Sequence, residues 1–238
     1  LDINSFKIQN TGLTINLANI SYVYKLQFDN DLFFLPAVSL GFGSSSVNPG
    51  NLIFEDQLNT TTGFINTESI DRLAPVISNV NYLDLGASFM LHSEKFMAGL
   101  TLKHLNKPNT SFNKEVPFEK PIKISVQGAY EFNINPYERR YLPRYSYLFA
   151  YGSFTKFGDS VLIYLSQDFQ LGEFSLGLSQ QASSLNTFAL NNVGVSIGLA
   201  VENFDFGILY NFPFQSPGAV FSPSIFELFV TFDFSIYR

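Results

Sequence analysis

Cysteine is absent from this 238-residue sequence, so neither disulfide stapling nor a thiolate metal site can support the fold. Tryptophan is also absent, and histidine occurs only twice, at His92 and His104, which leaves little material for imidazole-based catalysis or metal binding. Charged residues make up only 14%, and the net charge of −6, with no basic stripe to offset it, argues against a nucleic-acid surface. Long apolar runs are missing as well. A membrane-spanning helix needs roughly 18 consecutive apolar residues. The best stretch, Leu32 to Phe42, is short and broken by Pro36, so a helical membrane protein is excluded. Helix formers such as Ala, Glu and Lys are scarce.

What the sequence does hold is aromatic: 27 Phe and 12 Tyr. Aromatic and β-branched side chains suit a pleated surface, so the fold is expected to be almost all β. A hydrophobic fraction of 46% lies in the globular range, and its distribution must therefore decide the class. Period-two alternation recurs in segments of about ten residues. Leu13, Ile15 and Leu17 share one parity, and Ile20, Tyr22, Tyr24, Leu26 and Phe28 continue on the other, which predicts a bulge or bend near Ala18 and Asn19. Leu83 to Leu91 and Phe96 to Leu102 form a hairpin across His92-Ser93-Glu94. Further apolar rows run through Ile122–Phe132, Tyr145–Tyr151, Val161–Phe169, Phe174–Leu178, Val193–Val201, Phe206–Phe212 and Phe226–Phe234. With the row from Leu32 to Phe42, these give about eleven strands. Leu1 to Gln9 is a further candidate, although Ile3, Phe6 and Ile8 alternate poorly.

The opposite face of these strands carries Ser, Thr, Gly, Gln, Asn and a few charges. A soluble sandwich would alternate too. Glycines inside strands, aromatics clustered near strand ends and alternating connection lengths favour an antiparallel transmembrane β-barrel with a polar lumen. Short links are expected at 29–31, 92–94, 170–173 and 202–205, and long ones at 44–81, 106–120, 181–191 and 215–223. Short turns face the periplasm and long loops the outside in such barrels, which sends Tyr237 and Arg238 to the periplasmic side. One stretch breaks the rule: 133–143 is long where a short turn belongs, and 156–160 is short where a loop belongs. The whole of 1–238 reads as one barrel domain. Because single-chain bacterial barrels have even strand numbers, and because the sequence opens at Leu1 without Met or signal segment, strands are expected to be missing from its front.

The segment YLDLGASFMLHSEKFMAGLTLKHLNKPNTSF at 82–112 resembles the PorP/SprF family of type IX secretion proteins. That family pairs a glycine-bearing strand with a short turn, a second strand of the form F-x-x-G-L-x-L-x-H-L, and an N-x-P-N-x-S-F loop. The closing stretch SPSIFELFVTFDF at 222–234 is similar to the family's aromatic last strand. The family's usual glycine- and histidine-bearing lead into that strand is replaced here by Phe221 to Phe226, and its Asn-Pro-Ala-Tyr-rich opening is absent. The resemblance implies a barrel of about fourteen strands in the full-length protein. It also implies an outer-membrane component of type IX secretion in gliding Gram-negative bacteria. Such a component would anchor or assist export of a large surface adhesin through the cargo's C-terminal domain, by binding and without bond chemistry.

Candidate sites follow from loop composition. Leu52, Phe54 and Phe64 in the longest link, and Asn106, Pro108 and Phe112 in the next, are expected to form a partner surface or, for the first link, a plug over the lumen. Arg139 and Arg140, with Glu138 and Arg144, form the one basic cluster and could dock a periplasmic or lipoprotein component. His104 with Ser111 and Glu115 could be drawn as a nucleophile and base, but neighbours so close in sequence pair by chance, and no enzyme activity is expected. Glu55, Asp56, Glu68 and Asp71 lack the loop spacing of a calcium site, so no metal or cofactor is expected. The rival function is a porin or hydrophobic-solute channel.

Overall fold

The computed structural model describes residues 1–8, 12–47, 53, 55–58, 63, 79–112, 116–184, 188–214 and 224–232. Among them lie thirteen antiparallel strands: β1 (Asp2–Ile8), β2 (Leu13–Val23), β3 (Leu26–Asp29), β4 (Leu32–Ser46), β5 (Val80–His92), β6 (Phe96–Lys103), β7 (Lys123–Asn133), β8 (Ser146–Phe157), β9 (Ser160–Leu171), β10 (Phe174–Ser184), β11 (Phe188–Val201), β12 (Phe204–Pro213) and β13 (Ile225–Phe232). Hydrogen-bonded neighbours follow chain order from β1 to β13, except that β2 and β3 both pair with β4. Among the described residues the sheet has twelve positions, because Asp2–Ile8 supplies β1 and the expected first strand divides into β2 and β3.

That division has a local cause. β2 pairs with β4 without a register shift down to Val23↔Ala37, and β3 resumes at Leu26↔Phe34, so the bulge expected near Ala18 and Asn19 is not there. The interruption at Tyr24 and Lys25 lies opposite Pro36, which has no N–H to offer a ladder. Pro36 still accepts a hydrogen bond from the Tyr24 N–H at 3.0 Å. The apolar row instead changes face inside a regular strand: Leu17 pairs with Gly43 on one face, whereas Ile20 pairs with Leu40 on the other.

The chain divides into two compact units. The first comprises Leu1–Tyr24, Pro36–Ser88 and Leu102–Ile122. Its apolar face carries Ile20, Tyr22, Val38, Leu40 and Leu83, all largely exposed, while Asn19, Ser39, Gly41, Asp84 and Gly86 meet on the polar face. The second comprises Lys25–Leu35, Phe89–Thr101 and Lys123–Arg238. Here Leu165, Leu176, Ile197, Ile208 and Leu228 form the exposed apolar face. Among the described residues Tyr82 is the one large hydrophobic side chain that is buried. Exposing so many aliphatic side chains to water would forgo about 1.5–3 kcal/mol each.

Two sequence readings are corrected by the register. The row Tyr147, Phe149, Tyr151 was expected on the apolar face, but Phe149 pairs with Asp168, and the Tyr151 hydroxyl donates to Gln127 Oε1 at 3.3 Å. Leu148, Ala150 and Phe154 hold the apolar face of β8 instead, because tyrosine suits either surface and alternation alone cannot choose. The long link expected at 181–191 shrinks to 185–187, since Ser183, Ser184, Leu190 and Asn191 extend the hairpin. A bulge at Gln181/Ala182 absorbs Asn191, whose amide donates to Ser183 Oγ. The anomaly at 133–143 is real: β8 begins at Ser146, and 134–145 projects between β7 and β8 while only 158–159 joins β8 to β9.

Candidate functional site

In the first unit the link between β6 and β7 is fastened to β5. His104 adopts a left-handed backbone (φ 61°), turning the chain as β6 ends. Its N–H donates to Asp84 Oδ1 at 3.1 Å, and its Nδ1 lies 2.7 Å from Asp84 Oδ2. Leu105 N–H donates to Leu85 O, and the Asn106 carboxamide then acts as a strand residue would. Its Oδ1 accepts from Leu85 N–H at 3.0 Å and its Nδ2 donates to Leu83 O at 2.8 Å. Further along, Asn109 Oδ1 accepts from the N–H groups of Ser111 and Phe118, closing a small loop. Lys120 Nζ donates to the Tyr82 hydroxyl at 2.8 Å and sits 4.5 Å from the ring centroid. The ring itself lies over Gly43, where a Cβ would approach within 2.2 Å of it.

This geometry distributes the predicted partner residues unevenly. Asn106 is engaged with β5, Pro108 is buried and Phe112 is half-buried. Among the described residues of this link, Val116 and Phe118, 65% and 63% exposed, are the most exposed apolar side chains. Leu52, Phe54 and Phe64 lie outside the described residues, as do Glu115, Glu68 and Asp71. Glu55 and Asp56 sit in a single 3-10 turn, Glu55–Gln57. Among the described residues no group of three or more His, Asp or Glu is placed to hold a metal ion. The carboxylate that reaches His104 is Asp84, twenty residues upstream, which sequence proximity had not suggested.

In the second unit the projection 134–145 is organised by Asn135, which is 3% exposed. Its Oδ1 accepts from Arg139 N–H at 2.8 Å, while its Nδ2 donates to the carbonyls of Arg139, Leu142 and Pro143 at 3.0–3.4 Å. Ser146 Oγ donates to Pro143 O, and Gly172 N–H to Tyr145 O. The loop thus presents an ordered surface. Tyr137, Tyr141 and Tyr145 are all more than 70% exposed. Arg139 donates to the Tyr141 hydroxyl at 2.8 Å, Arg144 lies 3.7 Å from Glu138, and Arg140 is exposed beside them. Tyrosine and arginine are the residues most enriched where protein partners bind tightly.

The polar face of β9–β12 has a different character. Ser175 pairs with Gly198, Gly177 with Ser196, and Ser179 with Gly194, so each serine faces a glycine across the strand pair. A Cβ on Gly177 would meet Ser196 Oγ and Asp168 Oδ1 within 2.2 Å. With no side chain there, Asp168 lies flat across the sheet and accepts from Ser166 Oγ at 2.7 Å. A shallow cavity of about 410 Å³ results.

A family model described as type IX secretion system membrane protein PorP/SprF matches residues 2–232, nearly the whole chain. No curated protein matches it. The chain belongs to the PorP/SprF family.

Proposed function

We propose that this membrane component of type IX secretion is an outer-membrane β-barrel of a gliding Gram-negative bacterium, and that it anchors or assists export of a large surface adhesin by binding the cargo's C-terminal domain. The observation that carries the membrane part is the pair of faces on β9 to β13: an exposed aliphatic row with Leu165, Leu176, Ile197, Ile208 and Leu228 on one side, and Asp168, Gly177 and Ser196 on the other. Strands with this alternation cross a bilayer by facing hydrocarbon outward and water inward. The whole of 1–238 serves as one barrel domain in this reading. The binding part rests on the links. Residues 104–122 are held against β5 by Asp84, Asn106 and Tyr82, so Val116 and Phe118 stand on a supported loop. Leu52, Phe54 and Phe64, outside the described residues, are further cargo-binding candidates on their sequence alone. Arg139 and Arg140, within the Asn135-ordered projection, contact a periplasmic or lipoprotein component of the apparatus.

Binding, without bond chemistry, is the role this assigns. Purification from native outer membrane in mild detergent tests it: a large secreted protein should accompany the chain, and repeated recovery without one would overturn the anchoring role. The small serine and glycine side chains of β10 and β11 favour a second reading, a porin with an open lumen. Planar-bilayer conductance separates the two. An anchoring barrel occupied by loops or cargo is silent, whereas a porin conducts steadily.

A further inference from the structure

Strands β9 to β13 contain three charged residues, Asp168, Asp205 and Glu227, and no lysine or arginine. Their register places all three on one face. Asp168 pairs with Gly177, Gly177 with Ser196, Ser196 with Leu209, and Leu209 with Glu227, while Asp205 pairs with Ala200 of the same parity as Ser196. A cleft lined by charge of one sign concentrates the opposite sign. Among the described residues no cation is paired with any of the three acids.

The cavity on this face gives that field a shape. Asp168 is the one charged residue in its lining, with Ser166, Ser175 and Ser196 around it and the rings of Tyr164 and Phe229 at its sides. Phe229 is held in place by lying over Gly207, where a Cβ would come within 1.9 Å of the ring. A carboxylate beside a serine hydroxyl, in a cavity that aromatic rings also line, is suited to a guanidinium or ammonium group. The carboxylate accepts charge-assisted hydrogen bonds, the rings attract the cation through their faces, and the serines accept the remaining N–H donors. A metal ion would find too few oxygen ligands around a single carboxylate. The checkerboard of serine and glycine keeps the surrounding surface low, so the backbone carrying such a side chain can approach the sheet closely.

We infer that this cavity is a binding site for a lysine or arginine side chain presented by a polypeptide segment, with Asp168 as its charge partner. The inference rests on the polar face being open to water, as the barrel reading holds, and not on which protein supplies the segment. The test uses the full chain in detergent micelles and two blocked tripeptides, Gly-Arg-Gly and its citrulline counterpart, titrated by NMR of the peptide. The arginine peptide should bind about tenfold tighter than the citrulline one, and added salt should erase the difference. Asp168→Asn, which keeps the shape, should bring the ratio to about one, and Phe229→Leu should reduce it. Equal binding of the two peptides to the unaltered protein would overturn the site, and that comparison needs no variant to fold. A preference that survives Asp168→Asn would overturn the role of Asp168. Binding of a neutral oligosaccharide at this cavity, with no response to the arginine peptide, would assign it to a sugar instead. Loss of cargo co-purification with the arginine preference intact would fault the anchoring role alone.

Discussion

Gln167 and Gln180 provide a sharp test of what the apolar face touches. They sit on it as diagonal neighbours, since Gln167 pairs with Leu178 and Gln180 with Leu165. Their amides bond reciprocally, at 3.3 Å from Gln167 Nε2 to Gln180 Oε1 and 3.0 Å in return. Replacing one by leucine strands a donor and an acceptor on the other. Away from water such unmade bonds cost about 1–3 kcal/mol, and the added leucine offsets only part of this. Each single variant should therefore lose about 1–2 kcal/mol, whereas the double variant, which leaves nothing unpaired, should be close to neutral. Urea unfolding of the four proteins from lipid vesicles gives the cycle. A coupling of about 2 kcal/mol or more is expected. Single variants that are individually neutral and strictly additive would mean that water satisfies the lone amide, and the face would not be in lipid.

Three further outcomes follow from the same contacts. Gly43→Ala drives a methyl group into the Tyr82 ring and should cost about 1–3 kcal/mol by overpacking, whereas Gly128→Ala, whose new Cβ would lie 3.7 Å from Met97 O, should be neutral or slightly stabilising; unfolding midpoints compare them. Asn106→Ala removes two hydrogen bonds to β5 and should destabilise by about 1–3 kcal/mol while exposing the 104–122 link to faster amide exchange. Asn135→Ala empties the hub of the projection and should abolish binding of any periplasmic component there with the strand signal in circular dichroism unchanged; retained binding would show that the loop needs no internal order.

The sheet was largely legible because one physical rule, alternation of apolar and polar residues, governs each strand that has a lipid-type face and a polar face. It failed where that rule weakens. β1 is paired on one side only, and Ile3, Phe6 and Ile8 are all more than half exposed, so no clean periodicity marked it. Tyrosines in β8 read as apolar yet hydrogen-bond across the polar face. Asn191 and Ser183 read as loop residues although they extend a hairpin through a bulge. The links were legible as places, and much less so as sites. Asn106 stands out in the sequence by its loop composition, whereas its bonds to β5 join residues about twenty positions apart and leave no local pattern. Asp168 is an isolated aspartate and carries no motif. Only the register shows it lying across Gly177, in a cavity that Phe229 also lines.

The absence of cysteine makes the most direct test of the membrane claim free of background. Ser196 and Ile197 are adjacent in β11 and point to opposite faces, with Ile197 51% exposed. Single variants Ser196→Cys and Ile197→Cys, folded in lipid vesicles, can be offered a small water-soluble maleimide, which reacts with the thiolate. Ser196→Cys should be labelled and Ile197→Cys, whose thiol stays protonated in hydrocarbon, spared. Equal labelling, or labelling of Ile197→Cys alone, would contradict a sheet that faces lipid with its aliphatic rows.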